Sequence, residues 1–297
     1  MNINGLHLLL TYQCNFACDH CFVWGSPDQC GTMTLEQIAE ILRQARGVGT
    51  VEWIYFEGGE PFLYYAALQR GVAMAAGAGF KVGIVSNAYW ATGLDDALAC
   101  LAPFAGQVQD FSISSDAYHW NDGDNRRTRT AQAAAKELGI PLDVISIAPP
   151  EATHAASVRG QIAPGESAVV FRGRAAQRLA ARADTHPWQQ FTECPFEDLR
   201  QPERVHLDAL GNVHICQGIT LGNLNEQPLA ELFGAYEPAT HPVTGPLLDG
   251  GPAELLRRYD LPCEGHYCDA CHLCDTARRA LRSRFPDVLA PDQMYGC

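Results

Sequence analysis

Short apolar runs recur through the first 185 residues, each followed by a longer stretch whose apolar positions return every three or four residues. The runs predict strands over 6–11, 51–56, 80–86, 110–114, 142–147 and 168–172. The intervening stretches predict helices over 34–46, 64–78, 94–101 and 126–138, the first opened by Thr34 and Gln37 at capping-box spacing. Strand and helix alternate with a period of about thirty residues, the pattern of an α/β domain built on a parallel sheet.

Beyond residue 186 the alternation gives way to turn signals. Residues 205–210 and 213–216 flank Gly211-Asn212 and read as a hairpin. A last helix is expected over 275–284; its Arg278, Arg279, Arg282 and Arg284 read as a solvated face. Gly250-Gly251-Pro252 is the expected flexible joint. The sequence therefore suggests two domains, 1–185 and 186–297.

Composition narrows the class. Hydrophobic residues make up 47% of the 297 and charged residues 19%, enough apolar surface to bury a core. There is no run of 18 apolar residues and no basic leader, so a cytoplasmic protein without a membrane partner is expected. A net charge of -13, with Lys81 and Lys136 the only lysines, argues against non-specific attraction to nucleic acid or an anionic bilayer.

The twelve cysteines change the picture most. Three lie at Cys14, Cys18 and Cys21, four lie between Cys263 and Cys274, and Cys194 and Cys216 precede and close the hairpin. Such crowding suits metal ligation better than a disulfide framework. Cys14-x3-Cys18-x2-Cys21, in the loop after the first strand, could wrap a cubic cluster. Because a 4Fe-4S cluster usually takes four protein ligands, three thiolates leave one iron free for a substrate or cofactor. Zinc is the alternative occupant of such an array.

The C-x3-C-x2-C spacing, with His20 where an aromatic usually precedes the third cysteine, resembles the signature of the radical S-adenosylmethionine (SAM) family. The second strand ends in Gly58-Gly59-Glu60-Pro61, similar to that family's Gly-Gly-Glu-Pro motif, which holds the amino group of SAM. The resemblance implies a partial (β/α)6, TIM-like barrel with SAM at the carboxyl ends of the strands. Ser86, Asn87, Ser114 and Asp116, at the third and fourth strand ends, would then face its ribose and methionine portions. Arg172 or Arg174, after the sixth run, would pair with its carboxylate. Ile147 reads as core or as a contact for adenine, and His119-Trp120 as a lining of the substrate mouth. His206 reads as a strand residue.

The last hundred residues resemble the auxiliary-cluster domains called SPASM and, in shortened form, twitch. The spacing Cys263-x4-Cys268-x2-Cys271-x2-Cys274 is compressed relative to that pattern. One auxiliary 4Fe-4S cluster on Cys194, Cys216, Cys271 and Cys274 is expected, with Cys268 as the alternative ligand and zinc as the alternative occupant. Cys30, Cys100, Cys263 and Cys297 have no assigned partner. The family implies reductive cleavage of SAM to a 5'-deoxyadenosyl radical, hydrogen abstraction from a peptide, protein or small molecule, and a low-potential donor such as flavodoxin or ferredoxin. A non-catalytic iron-sulfur carrier or sensor is the rival reading.

Overall fold

The structure, a computed structural model, describes residues 1–119, 125–152 and 155–297. In chain order it runs β1 (Gly5–Thr11), α1 (Leu35–Val48), β2 (Trp53–Gly58), α2 (Tyr65–Gly77), β3 (Lys81–Ser86), α3 (Leu94–Leu101), β4 (Asp110–Ser114), α4 (Arg126–Leu138), β5 (Leu142–Ile147), β6 (Gly165–Ser167) and α5 (Arg174–Arg178). There follow β7 (His186–Pro187), β8 (Arg204–Asp208), β9 (Asn212–Cys216), β10 (Ile219–Asn223), α6 (Leu229–Ala235), α7 (Thr244–Tyr259), β11 (His266–Tyr267) and α8 (Ala270–Leu281).

Nine strands make one mixed sheet in the order β10-β9-β8-β1-β2-β3-β4-β5-β6. From β8 to β6 every neighbour is parallel, and β9 and β10 return antiparallel. The end strands β6 and β10 are not paired with each other, so the α/β sheet is open. β7 and β11 pair separately.

Strand alternation sorts the side chains. Leu6, Leu8, Ile54, Phe56, Val82, Ile84, Phe111 and Ile113 point to one face, where Ile38, Leu42, Leu68, Val72, Leu101 and Ala131 of the helices cover them. Their neighbours His7, Glu57, Val85, Ser112, Ser114 and Ile145 point to the other face and line a cavity. The α1 capping box forms as expected: Gln37 N donates to Thr34 Oγ1 at 3.1 Å and Thr34 N to Gln37 Oε1 at 2.8 Å. No helix of the described residues is long and apolar enough to cross a membrane.

Four expectations need correction. The sixth strand is Gly165–Ser167, not 168–172. That stretch runs past the sheet, and its Phe171 N donates to the Asp269 carboxylate at 3.0 Å instead of to a neighbouring strand. The hairpin forms as expected, with β8 and β9 antiparallel, and it joins the main sheet: β8 pairs with β1 from Gly5↔Arg204 to Leu9↔Asp208, and Val205, Leu207 and Val213 enter the core between sheet and helices, the first core. The last helix begins at Ala270, where the Asp269 side chain caps it by accepting from His272 N at 2.7 Å. Its arginine face is solvated only in part: Arg284 is exposed, but Arg278 is 3% exposed, and Arg279 donates to Asp275 at 2.6 Å and to Tyr295 O at 2.6 Å. Gly250 to Pro252 is a kink inside α7, with Gly251 and Pro252 buried. A Cβ on Gly251 would sit 2.2 Å from Glu193 N, so this joint is packed.

Candidate functional site

The loop after β1 carries Cys14, Cys18 and Cys21, and Arg174 holds it. That buried guanidinium donates to Cys18 O at 2.7 Å and Gly25 O at 2.8 Å, while Arg174 N donates to Cys21 O at 2.9 Å. Gly173, at φ 61°, lets α5 dock there; a Cβ would meet Phe22 O at 2.6 Å. All three cysteines are free thiols lining the main cavity. Gly25 N donates to Cys21 Sγ at 3.2 Å and Phe16 N to Cys14 Sγ at 3.4 Å, bonds of the kind that tune cluster sulfurs. Burial pushes the Cys14 thiol up to about 12 and raises Cys18 as well, with the other thiolates of the trio adding to the effect. Such thiols keep their protons until a metal displaces them, and a compact trio with N–H donors on its sulfurs fits an iron-sulfur cluster.

Around the loop stand the carboxyl ends of β2, β3 and β4. Gly58 lies at φ 129°, and a Cβ on Gly59 would stand 2.1 Å from Gln13 O. The paired glycines therefore serve the close passage of β2 against the cysteine loop, sealed by Gly59 N donating to Thr11 O and Glu60 N to Gln13 O. Glu60 is fully buried and does not line the cavity. Its carboxylate accepts from Phe62 N at 3.0 Å, Ser86 Oγ at 2.9 Å and Asn87 N at 2.8 Å, so it fixes the β3 end from behind. Burial raises Glu60 to about 7 against the lowering effect of those donors. The Asn87 amide donates to Asn15 Oδ1 at 2.8 Å, beside Cys14.

Ser86, Asn87, Ser114, Asp116 and His20 all reach the cavity. Asp116 accepts from Tyr118 N at 3.0 Å and Ile147 N at 3.2 Å, and pairs with His119 Nδ1 at 2.7 Å and His20 Nε2 at 3.4 Å. Burial alone would raise the Asp116 carboxyl, but the two imidazoles carry it below the usual range. Ile147 lines the cavity, and Trp120 lies outside the described residues. Arg172 lies between the main cavity and a smaller one, pairs with Glu197 at 3.2 Å and stands 5.4 Å over the Phe22 ring. Its placement is thus shared between the main cavity and the second thiol group.

That smaller cavity is lined by Cys194, Cys216, Cys271 and Cys274 together with Arg172 and Arg278. Cys216 closes β9, and Cys271 and Cys274 sit three residues apart on α8. Burial pushes Cys194 up to about 12, Cys274 up to about 11, and Cys271 well above its ordinary value. Four thiols beside two guanidiniums suit an anionic thiolate cluster. Cys268 points elsewhere, donating to Ala180 O at 3.4 Å and packing near Phe171 and Leu179. Cys30, Cys263 and Cys297 are exposed, and Cys100 packs against the first core.

Two groupings were not expected from the sequence, although His20, Asp116, His119 and His206 were each read singly. His7, Glu57 and His206 meet on the inward face of β1, β2 and β8, with ligating atoms all within 4.8 Å of one another. His20, Asp116 and His119 form a second such group beside the cysteine loop. The signal was present: His7 interrupts an apolar strand, and His206 alternates with Val205 and Leu207.

Residues 8–151 match the model of the Radical SAM superfamily. This stretch, just under half of the chain, is similar to that superfamily of enzymes. The match spans the cysteine loop and the ends of β2 to β4. Among curated relatives, the chain is 32% identical over 81 residues to the "Putative peptide biosynthesis protein YydG" of Bacillus subtilis (strain 168), covering 27% of this chain and 25% of that protein. It is 37% identical over 84 residues to the "S-adenosylmethionine-dependent nucleotide dehydratase" of Selenomonas ruminantium, covering 28% of this chain and 29% of that one. These matches thus span between a quarter and a third of the relatives' lengths. The fold is similar to a solved structure described as "Native anSMEcpe with bound AdoMet and Cp18Cys peptide", with a TM-score of 0.50, 13% identity, and coverage of 96% of this chain and 97% of that one.

Proposed function

We infer that this radical SAM enzyme cleaves S-adenosylmethionine at a 4Fe-4S cluster held by Cys14, Cys18 and Cys21 and modifies a peptide or protein by hydrogen abstraction. The observation that carries the reading is that all three thiols open onto the same cavity as Gly58, Gly59, Ser86, Asn87, Ser114 and Asp116. When bound, the reduced cluster supplies the electron that splits the sulfonium into methionine and a 5'-deoxyadenosyl radical. The chain's part is to bind and orient. The Gly58 and Gly59 backbone takes the amino group of SAM; Asn87 and Ser114 take its polar portions; Glu60 acts through Ser86 and Asn87 rather than by contact. His20 and Asp116 complete the wall.

Residues 1–185 act as the partial (β/α)6 barrel and 186–297 as the twitch- or SPASM-like part, whose Cys194, Cys216, Cys271 and Cys274 hold one auxiliary 4Fe-4S cluster. Arg172 and Arg278 favour the charged thiolates there. Flavodoxin or ferredoxin is the class of electron donor. Peptide substrates are favoured by the name of the Bacillus relative and by the peptide in the similar structure. The name of the Selenomonas relative supports a small-molecule substrate as the second reading.

The test is anaerobic: the reconstituted chain with SAM and dithionite should form 5'-deoxyadenosine, and the Cys14→Ala, Cys18→Ala, Cys21→Ala triple variant should not. SAM left intact by an iron-replete protein would instead support the carrier.

A further inference from the structure

We propose that His7, Glu57 and His206 form a binding site for a divalent first-row transition ion at the floor of the main cavity, separate from both cysteine groups. His7 and His206 are buried, and Glu57 keeps 13% of its side-chain surface, on the cavity side. His7 Nδ1 stands 3.3 Å and His206 Nε2 3.1 Å from the same Glu57 oxygen.

Those separations are those of neighbouring ligands on one ion: bonds of about 2.1 Å place ligand atoms about 3.0 Å apart in an octahedron and about 3.4 Å apart in a tetrahedron. They are not hydrogen bonds. Glu57 Oε1 and His7 Nδ1 are buried without any hydrogen-bond partner, since proximity is met here without alignment. In the His20, Asp116 and His119 group, by contrast, His119 is bonded to the carboxylate at 2.7 Å. Orphaned buried polar atoms call for a ligand, and a cation satisfies a carboxylate and two imidazole lone pairs at once.

The scaffold is rigid. His7 and His206 sit opposite each other in the β1–β8 register, and Glu57 lies on β2 two residues beyond Tyr55, the residue opposite His7. His7 is further stacked on Tyr55 at 4.4 Å, and the Tyr55 hydroxyl is anchored to Asp110 at 2.7 Å. Two nitrogens and one carboxylate select zinc, iron(II), cobalt or manganese over magnesium or calcium. Three protein ligands leave positions open to the cavity, where a substrate carbonyl or carboxylate oxygen would bind. That use rests on the proposed function; binding of the ion does not.

The test uses the full chain with its clusters reconstituted anaerobically, given zinc and desalted. About one zinc per chain should remain, with iron and sulfide unchanged, and zinc X-ray absorption should show only nitrogen and oxygen neighbours at about 2.0–2.2 Å. Glu57→Gln and His206→Ala should each weaken zinc retention about tenfold or more at constant iron and sulfide. No retained zinc, sulfur at about 2.3 Å, or variants that hold zinc as well as the parent would overturn the proposal. The absorption measurement stands on the unmodified chain, so a variant that misfolds does not decide the matter. 5'-Deoxyadenosine formed by the same sample reports on the SAM reading independently.

Discussion

The Tyr12 hydroxyl donates to Asp208 Oδ2 at 2.8 Å, across 196 residues of sequence. Tyr12 lies two residues before Cys14, and His214, whose Nε2 stands 3.1 Å from the same oxygen, lies two before Cys216. The other Asp208 oxygen accepts from Leu210 N and Asn212 N, both at 2.9 Å, and so sets the β8–β9 turn. One buried carboxylate thus ties both cysteine-bearing segments together. Asp208→Ala leaves these donors unpaired and should cost about 3–5 kcal/mol in denaturant unfolding. Iron content should fall at both sites; a cost below about 1 kcal/mol would contradict the role.

Gly59→Ala should displace the β2 end from the cysteine loop, because the new methyl would overlap Gln13 O. 5'-Deoxyadenosine formation should drop about a hundredfold, as expected of a site misplaced by about 1 Å. Gly77→Ala, where nothing lies within 4 Å, is the control and should leave the rate unchanged.

Cys268→Ser should retain all iron, since that thiol faces Ala180 rather than the second group. Cys271→Ser with Cys274→Ser should lose about four iron atoms per chain, the content of one cubic cluster. Equal losses in the two variants would reverse the ligand assignment.

His241 gives the stability a pH dependence. Its Nδ1 accepts from Val243 N at 3.2 Å and Thr244 N at 3.0 Å, at the start of α7. Burial holds its pKa below the ordinary 6.5. A base depressed by folding contributes its full stability above pH 6.5 and loses it as the pH falls toward the folded value. Melting temperature should therefore decline below pH 6.5, and His241→Asn, which keeps an oxygen acceptor for the cap, should flatten that part of the curve.

The first five strands were legible because each combines an apolar run with a turn signal, and Thr34 announced its helix. The sixth was misplaced because Val169, Val170 and Phe171 look like a strand, yet Phe171 N bonds to the Asp269 carboxylate and Val170 O accepts from Arg172 N. Local pattern carries no record of so distant an acceptor. The same holds for Arg278, which a charge pattern assigns to solvent and the fold buries against Gln217 O, and for Arg174, expected to meet a ligand carboxylate and found bonded to the carbonyls of Cys18 and Gly25. Glu60 was found by its motif, but only the structure shows that its oxygens face backward. Cys271 and Cys274 could be singled out from Cys268 only as one of two equal spacings, until the helix phase set them apart.

The Arg174 clamp bears on biogenesis. The three N-terminal thiols leave the ribosome about 150 residues before the guanidinium that braces their loop, so the loop cannot take its final shape during early synthesis. Maturation factors would meet a braced loop only after residue 174 has emerged, and a fragment ending before it would carry every thiol of the trio yet lack the brace that shapes their nest.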